Sequence, residues 1–210
     1  MTATELNRIL NQHSLWLRTN GAEGSRANLY CANLKKANLE RANLERANLE
    51  WANLTEANLT EANLKGAYLT DANLEKAYLA RANLEKAYLV GANLYEANLY
   101  NATLVGADLY EANLELANLE YANLYEANLE LANLEYANLY GANLKFAKLY
   151  GANLEKANLE KANLEKANIT GTILEKNETT VSSESSLRGK LDELAKSLGF
   201  EIVSLKVQKL

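Results

Sequence analysis

The sequence predicts an all-β solenoid, a chain that coils by turning a corner every five residues. Three observations carry this reading. From Ala27 the chain runs ANLYC-ANLKK-ANLER-ANLER-ANLEW and keeps that beat to TILEK at Thr172–Lys176, thirty pentapeptides with no insertion or deletion. Ala holds the first place from Ala27 to Ala167 and yields only to Thr172, while Leu holds the third place from Leu29 to Leu164 with Ile169 a conservative change. Between them the second place is polar, Asn in twenty-three of the thirty units. Apolar–polar–apolar is a short period-2 element with Ala and Leu inside and Asn outside. The fourth and fifth places vary among Glu, Lys, Arg, Thr, Tyr and Gly, as suits a solvent-facing corner. A helix does not compete, because a five-residue step advances about 500°, or about 140° net, and would scatter the Leu over every face. Proline is absent, so no ladder donor is missing.

Residues 1–25 precede this array. Thr2 and Glu5 have capping-box spacing, with Thr4 a rival cap, and Leu6, Ile9, Leu10, His13, Trp16 and Leu17 fall on one face of a helix over 2–19, with Leu15 opposite. Gly21 and Gly24 supply a stop and a turn. An apolar-faced helix just before a solenoid suggests a lid over the first coil, where a bare core would meet water. His13 is the only His in the chain and reads as a packed side chain at the edge of that lid.

The array resembles the pentapeptide-repeat family, whose motif is A(N/D)LXX, over Ala27–Lys176, and the lead-in HSLWLRTNGAEGSRANL resembles the helix-plus-glycine entry of some bacterial members. Spacing alone gives a polygon. The resemblance implies a right-handed quadrilateral β-helix with four pentapeptides per coil, so that residues twenty apart stack. The repeat run 26–176 then makes roughly seven and a half coils, roughly 36 Å of rod at the usual strand spacing. Stacked Asn can form side-chain ladders along it.

After Lys176 the composition changes. Residues 177–186, NETTVSSESS, read as a polar linker. In 187–210, Leu187, Leu191, Leu194 and Leu198 line a helix face, and Val203, Leu205 and Val207 alternate as a strand. A helix–strand pair cannot bury both apolar faces alone. It is expected either to cap the last coil or to join a second copy, leaving the protein a monomer or a homodimer through its tail.

Composition excludes several functions. The net charge of −5 offers no basic footprint for direct nucleic-acid binding. The single Cys31 permits no intramolecular disulfide, the N-terminus lacks the apolar run of a signal peptide, and no stretch approaches a membrane span. A cytoplasmic protein with no membrane role is expected. Between Ser25 and Ser182 there is neither Ser nor His, and the Thr residues have no base to activate them. No phosphate loop or metal-ligand spacing occurs. The expectation is a non-enzymatic protein without catalytic residues, metal or cofactor.

The outward positions are uneven. Between Lys86 and Lys145 there is no Lys or Arg, but there are eight acids (Glu96, Asp108, Glu111, Glu115, Glu120, Glu126, Glu130, Glu135) and eight tyrosines (Tyr88, Tyr95, Tyr100, Tyr110, Tyr121, Tyr125, Tyr136, Tyr140). Leu116, Leu131 and Phe146 take corner places. In columns of twenty, Glu115 and Glu135 stack as like charges, repelling by about 0.9 kcal/mol even at the dielectric of water. Their neighbours Leu116 and Tyr136 cannot relieve them. Glu115, Leu116, Glu135, Tyr136, Tyr95, Tyr121 and Tyr140 are therefore the candidate patch for a protein partner of unknown identity. The same composition also suits a plain surface, because Tyr packs well across strands and acidity aids solubility. The primary reading is an interaction scaffold, a rigid rod showing side chains to a partner. The family resemblance implies an alternative, a DNA-mimicking protein that binds the type II topoisomerase gyrase.

Overall fold

The structure is a computed structural model and describes residues 1–175. The expected linker at 177–186 and helix–strand element at 187–210 lie outside the described residues. Met1–Thr172 forms one compact unit.

The helix α1 spans Ala3–Arg18. Thr2, rather than Thr4, is its N-cap, and its hydroxyl accepts from the Glu5 N–H at 3.2 Å. Glu5 in the first turn and Arg18 in the last complement the helix dipole. The chain leaves through Thr19, and the Gly21 N–H closes onto the Trp16 carbonyl at 2.8 Å. It then doubles back along the helix, with the Ser25 N–H on the Gln12 carbonyl at 3.2 Å. At Gly24 (φ +76°) a Cβ would lie 2.3 Å from that same carbonyl oxygen, so only glycine allows the return. Leu6 and His13 are buried, while Ile9, Leu10, Trp16 and Leu17 are half-buried. Leu15, expected on the far side, is half-buried too, because the returning chain packs against its Cβ at Gly24.

His13 joins the helix to the array. Its Nδ1 accepts from the Ala27 N–H at 3.1 Å, and its ring stacks on Trp16 at 5.7 Å. The Nδ1 acceptor leaves the proton on Nε2, which is buried with no partner in hydrogen-bond geometry. Burial pushes its pKa below the usual imidazole range. The nearby Glu45 backbone opposes this, and Arg26 adds to it.

From residue 28 onward, each bridge pairs a second-place residue with the one twenty later, always parallel, from Asn28↔Asn48 to Lys148↔Asn168. A corner every five residues and a bridge every twenty make a four-sided coil. Each side offers one bridged residue, too short for a conventional strand. The backbone bonding explains why five residues suffice. The first N–H closes a turn onto the third carbonyl of the unit before, as Ala32 does onto Leu29 at 3.0 Å. The second N–H reaches back a coil (Asn48 to the Ala27 carbonyl, 2.9 Å), and the third and fifth reach forward (Leu29 to Asn48, 2.7 Å; Cys31 to Glu50, 2.9 Å). The fourth has no backbone partner and is taken by the Asn side chain two residues earlier, as the Tyr30 N–H is by Asn28 Oδ1 at 3.2 Å. Asp108 does the same for Tyr110. Ladders also form along the rod, for example Asn113 Nδ2 to Asn93 Oδ1 at 3.1 Å and Asn133 to Asn113 at 3.3 Å. In each the Nδ2 of one side chain donates to the Oδ1 of the other, and that oxygen, with two lone pairs, also accepts the turn amide, as Asn93 Oδ1 does from the Tyr95 N–H. In the last pentapeptide, Ile173, Leu174 and Glu175 are helical instead. Ile173 in the second place has no side-chain acceptor for the fourth amide.

Inside, every Ala and Leu of the first and third places from Ala47 to Leu149 is at most 1% exposed. At the corners, every fifth-place residue from Cys31 to Gly171 lies in the left-handed region, φ +54° to +76°, and only six are Gly. This is the third residue of a type II turn. The corner is therefore free in side chain but not in backbone.

Two predictions follow from these bonds. Asn118→Ala strands the half-buried Glu120 amide and lowers unfolding free energy by about 1 kcal/mol, whereas Asn118→Asp, which keeps the acceptor as Asp108 does, recovers part of that loss in denaturant titrations. His13 is neutral in the fold, so its contribution is complete above the unfolded imidazole value of about 6.5 and is lost as pH falls through the lower folded value. The thermal midpoint of the wild type should fall on acidification from neutral pH into that range more than that of His13→Asn, measured by circular dichroism.

Candidate functional site

The charged corners divide the rod. On the early coils, ion pairs run from one coil to the next: Lys36–Glu56 at 3.2 Å, Arg41–Glu61 at 2.8 Å, Arg81–Glu61 at 3.4 Å and Lys65–Glu85 at 2.9 Å. Lys145–Glu165 at 2.8 Å resumes the pattern on the late coils, and Lys156–Glu155 at 3.5 Å pairs within one corner. Each is a surface pair of small energetic weight, about 0–1 kcal/mol. Of the eight acids between Lys86 and Lys145, only Glu96 has an ion-pair partner among the described residues, Lys76 at 3.7 Å.

The seven candidate residues fall on two consecutive corners. Tyr95, Glu115 and Glu135 form one column, with Leu116 and Tyr136 beside them at the fifth place, 43% and 46% exposed. Tyr121 and Tyr140 occupy the next corner, with ring centroids 5.7 Å apart edge to face. The Asn118–Asn138 ladder runs between the two groups. The Glu115–Glu135 pair differs from expectation. Neither carboxylate is bare, because Asn133 Nδ2 donates to Glu115 at 3.3 Å and Asn153 Nδ2 to Glu135 at 3.4 Å. The ladder amides relieve the pair that no cation reaches.

The structure also brings in residues outside that set. Tyr100 meets Tyr121 edge to face at 6.1 Å, and Tyr125 meets Phe146 at 5.6 Å. Leu131 is 44% exposed. Tyr100–Tyr121 and Tyr125–Phe146 are spaced by twenty-one residues, a fourth place meeting a fifth place one coil on, and that spacing was the available signal. Tyr68 and Tyr88 stack face to face at 5.0 Å, as columns of twenty require.

Four tyrosines of the stretch, Tyr95, Tyr110, Tyr121 and Tyr125, have their phenols raised above the usual value. Glu96, Glu111 and Glu126 stand beside the hydroxyls of Tyr95, Tyr110 and Tyr125 and push each phenol above its usual value. Tyr121 is raised first by partial desolvation, then by Tyr140 and Glu120, with the Lys161 charge opposing them. Such an arrangement offers carboxylate acceptors and aromatic rings at the surface. Among the described residues, no group of three or more His, Cys, Asp or Glu could hold a metal ion, and no helix is long and apolar enough to cross a membrane.

Tyr121 is held by its surroundings. Its ring lies over Gly141, where a Cβ would come within 2.6 Å of the ring. At Gly106, with a similar φ of +61°, the nearest atom to a Cβ is the Lys86 Cγ at 3.7 Å. Gly106→Ala should therefore cost only the backbone penalty of about 1 kcal/mol. Gly141→Ala should cost more and change the near-ultraviolet tyrosine signal as Tyr121 is displaced. Paired chemical denaturation and near-ultraviolet dichroism measure both.

Comparison with known proteins agrees with this architecture. Eight copies of pentapeptide repeats match at residues 18–46, 47–85, 77–115, 97–135, 112–145 and 137–175. HetL, a pentapeptide repeat protein involved in heterocyst differentiation regulation in the cyanobacterium Nostoc sp. strain PCC 7120, is 32% identical over 70% of this chain and 84% of its own, with a TM-score of 0.45. Rfr23 from the cyanobacterium Cyanothece 51142 is 32% identical over 62% of this chain and 90% of its own, TM-score 0.45. A trypsin-treated QnrB1, a plasmid-mediated fluoroquinolone resistance protein, is 22% identical over 64% of this chain and 66% of its own, TM-score 0.48, a likeness that carries no functional weight. A search among curated proteins gave no match. Pentapeptide-repeat proteins fold as right-handed quadrilateral β-helices and are generally non-enzymatic scaffolds. With its unbroken five-residue register and its twenty-residue bridges, this chain belongs to the pentapeptide-repeat family.

Proposed function

We propose that this protein is a non-catalytic interaction scaffold, and that a protein partner docks on the cation-free stretch between Lys86 and Lys145. One observation carries the reading: seven of the eight acids there have no ion-pair partner among the described residues, beside rings and leucines that remain exposed. Everywhere else on the rod the acids are interleaved with Lys and Arg. Unpaired charge beside exposed apolar side chains is what an interface leaves uncovered until its partner arrives. The seven residues Tyr95, Glu115, Leu116, Tyr121, Glu135, Tyr136 and Tyr140 are assigned to that surface.

The remaining parts serve the rod. We take 1–25 as a lid on the first coil, with the His13–Ala27 bond and the burial of Leu6 in support, and 26–176 as the scaffold. The linker 177–186 and the segment 187–210 are assigned to closing the far end or joining a second copy. An exposed free thiol at Cys31 suits a reducing compartment, and we place the protein in the cytoplasm.

A second reading uses the same acids as a stand-in for duplex phosphates before a type II topoisomerase. It rests on the columns of carboxylates and makes no use of the rings. Both readings meet one experiment. Glu115→Lys combined with Glu135→Lys should release the captured partner in pull-downs while leaving the fold intact by circular dichroism, and gyrase supercoiling should be unaffected by the wild type at micromolar concentration. Retention of every partner by the double variant removes the docking reading, and inhibition of supercoiling brings forward the mimicry reading.

A further inference from the structure

The array has its own way of covering a ring. Arg26 stands over Tyr68 at 5.4 Å from the ring centroid, Lys156 over Tyr136 at 4.7 Å, Lys161 over Tyr140 at 4.8 Å, and Lys145 and Lys166 over Phe146 at 5.3 and 5.2 Å. Lys156 and Lys161 also donate to the hydroxyls of the rings they cover. Every one of these cations comes from outside the stretch that lacks Lys and Arg. The six tyrosines from Tyr88 to Tyr125 consequently have no cation on their faces among the described residues.

Tyr121 is the best prepared of the six. It is 47% exposed yet fixed, with its ring over Gly141 and edge-to-face contacts to Tyr100 and Tyr140. Glu120 precedes it and has no ion-pair partner among the described residues, close enough to act on the Tyr121 hydroxyl. The covered homologue of this corner lies two coils on. There Lys161 takes the fifth place that Tyr121 takes here, above Tyr140 as Tyr121 is above Tyr100. A ring, half exposed, has replaced the lysine, with the Glu120 carboxylate next to it in the chain.

We propose that Tyr121 and Glu120 form a seat for an arginine side chain from an extended basic segment of the protein partner, an inference that rests on the docking reading above. A planar guanidinium can lie on the phenol face and fork its N–H donors to the carboxylate, whereas an ammonium satisfies only one of the two well. No cation of the described residues lies on the Tyr121 ring: Lys161, whose charge reaches the Tyr121 hydroxyl, is held over Tyr140 instead, and the surrounding acids steer a basic segment to the open place.

The test is fluorescence anisotropy with dye-labelled Arg-Ser, Lys-Ser and Glu-Ser repeat peptides at moderate salt. The wild type should bind the Arg-Ser peptide, bind the Lys-Ser peptide more weakly, and leave the Glu-Ser peptide free. Tyr121→Leu should weaken Arg-Ser binding by about tenfold, the size of one cation–ring contact. Tyr121→Phe should stay within about twofold, because the face is kept. Glu120→Gln should weaken binding severalfold and flatten its salt dependence. Leucine is tolerated in this setting: Leu131 holds the same left-handed place (φ +58°) over Gly151, whose Cβ would lie 2.7 Å from it. Wild-type affinity in Tyr121→Leu overturns the seat and leaves plain charge attraction. If no peptide binds while the Glu115→Lys, Glu135→Lys variant still loses its partner, the seat fails and the scaffold reading stands. If that variant keeps its partner while the Arg-Ser peptide binds through Tyr121, the seat stands and the Glu115–Glu135 surface fails.

Discussion

The fold depends on the bond between an Asn Oδ1 and the backbone N–H two residues on. A five-residue side turned into a corner leaves one amide without a backbone partner, and a buried or half-buried amide without a partner costs the fold dearly. Asn satisfies it within the same unit, at every Asn from Asn28 to Asn168 in the second place, and Asp108 satisfies it with the same short reach. Because that bond is local, each such unit satisfies its fourth amide by itself while its other amides pair with neighbouring units. The Asn nitrogen is then free to reach the neighbouring coil, and one side chain stiffens both the corner and the rod.

The exceptions are informative. Tyr68, Tyr78, Tyr88, Thr103 and Lys148 stand in the second place without providing this bond. Where two of them follow each other, as Tyr68 and Tyr88 do, ring stacking at 5.0 Å takes over the contact between coils. These substitutions lie between bonded units, so the loss is absorbed locally. An array in which each unit leans on its neighbours tolerates isolated gaps of this kind. The same tolerance lets the corner places vary, so an acidic, aromatic stretch can be built without disturbing Ala and Leu inside. The rod therefore separates what holds it together from what it shows to solvent.

Much of this was legible in the residues. The period of five, the inward Ala and Leu, the leading helix with Thr2 at its start, and the contact of Tyr68 with Tyr88 all follow from spacing. So did the segregation of charge, since stacking by twenty maps sequence directly onto columns. The left-handed corner was legible too, though a free corner was expected. Thr55, Thr60, Thr70, Val90, Val105 and Thr170 all occupy fourth places, and no β-branched residue occupies a fifth place from Cys31 to Gly171. A positive φ is especially costly for a β-branched side chain, and that exclusion is its trace. The spacing of twenty-one that joins Tyr100 to Tyr121 was hidden because columns of twenty look straight up the rod, whereas long side chains lean across the corner.

The sequence by itself determined the coil: which residues face inward, where each corner falls, and which stretch lacks cations. A strict repeat leaves the backbone one arrangement that keeps Leu inside, so pattern and geometry are nearly the same statement. The tertiary structure decided what the outward side chains do with one another. Only there do the Asn133 and Asn153 amides reach the Glu115 and Glu135 carboxylates, does Gly141 make room for the Tyr121 ring, and do lysines from the next coil cover Tyr136 and Tyr140. The physical reason is reach. Inward positions are set by burial, which the period encodes, while outward contacts depend on rotamers and lengths of side chains meeting across coils, which no period encodes.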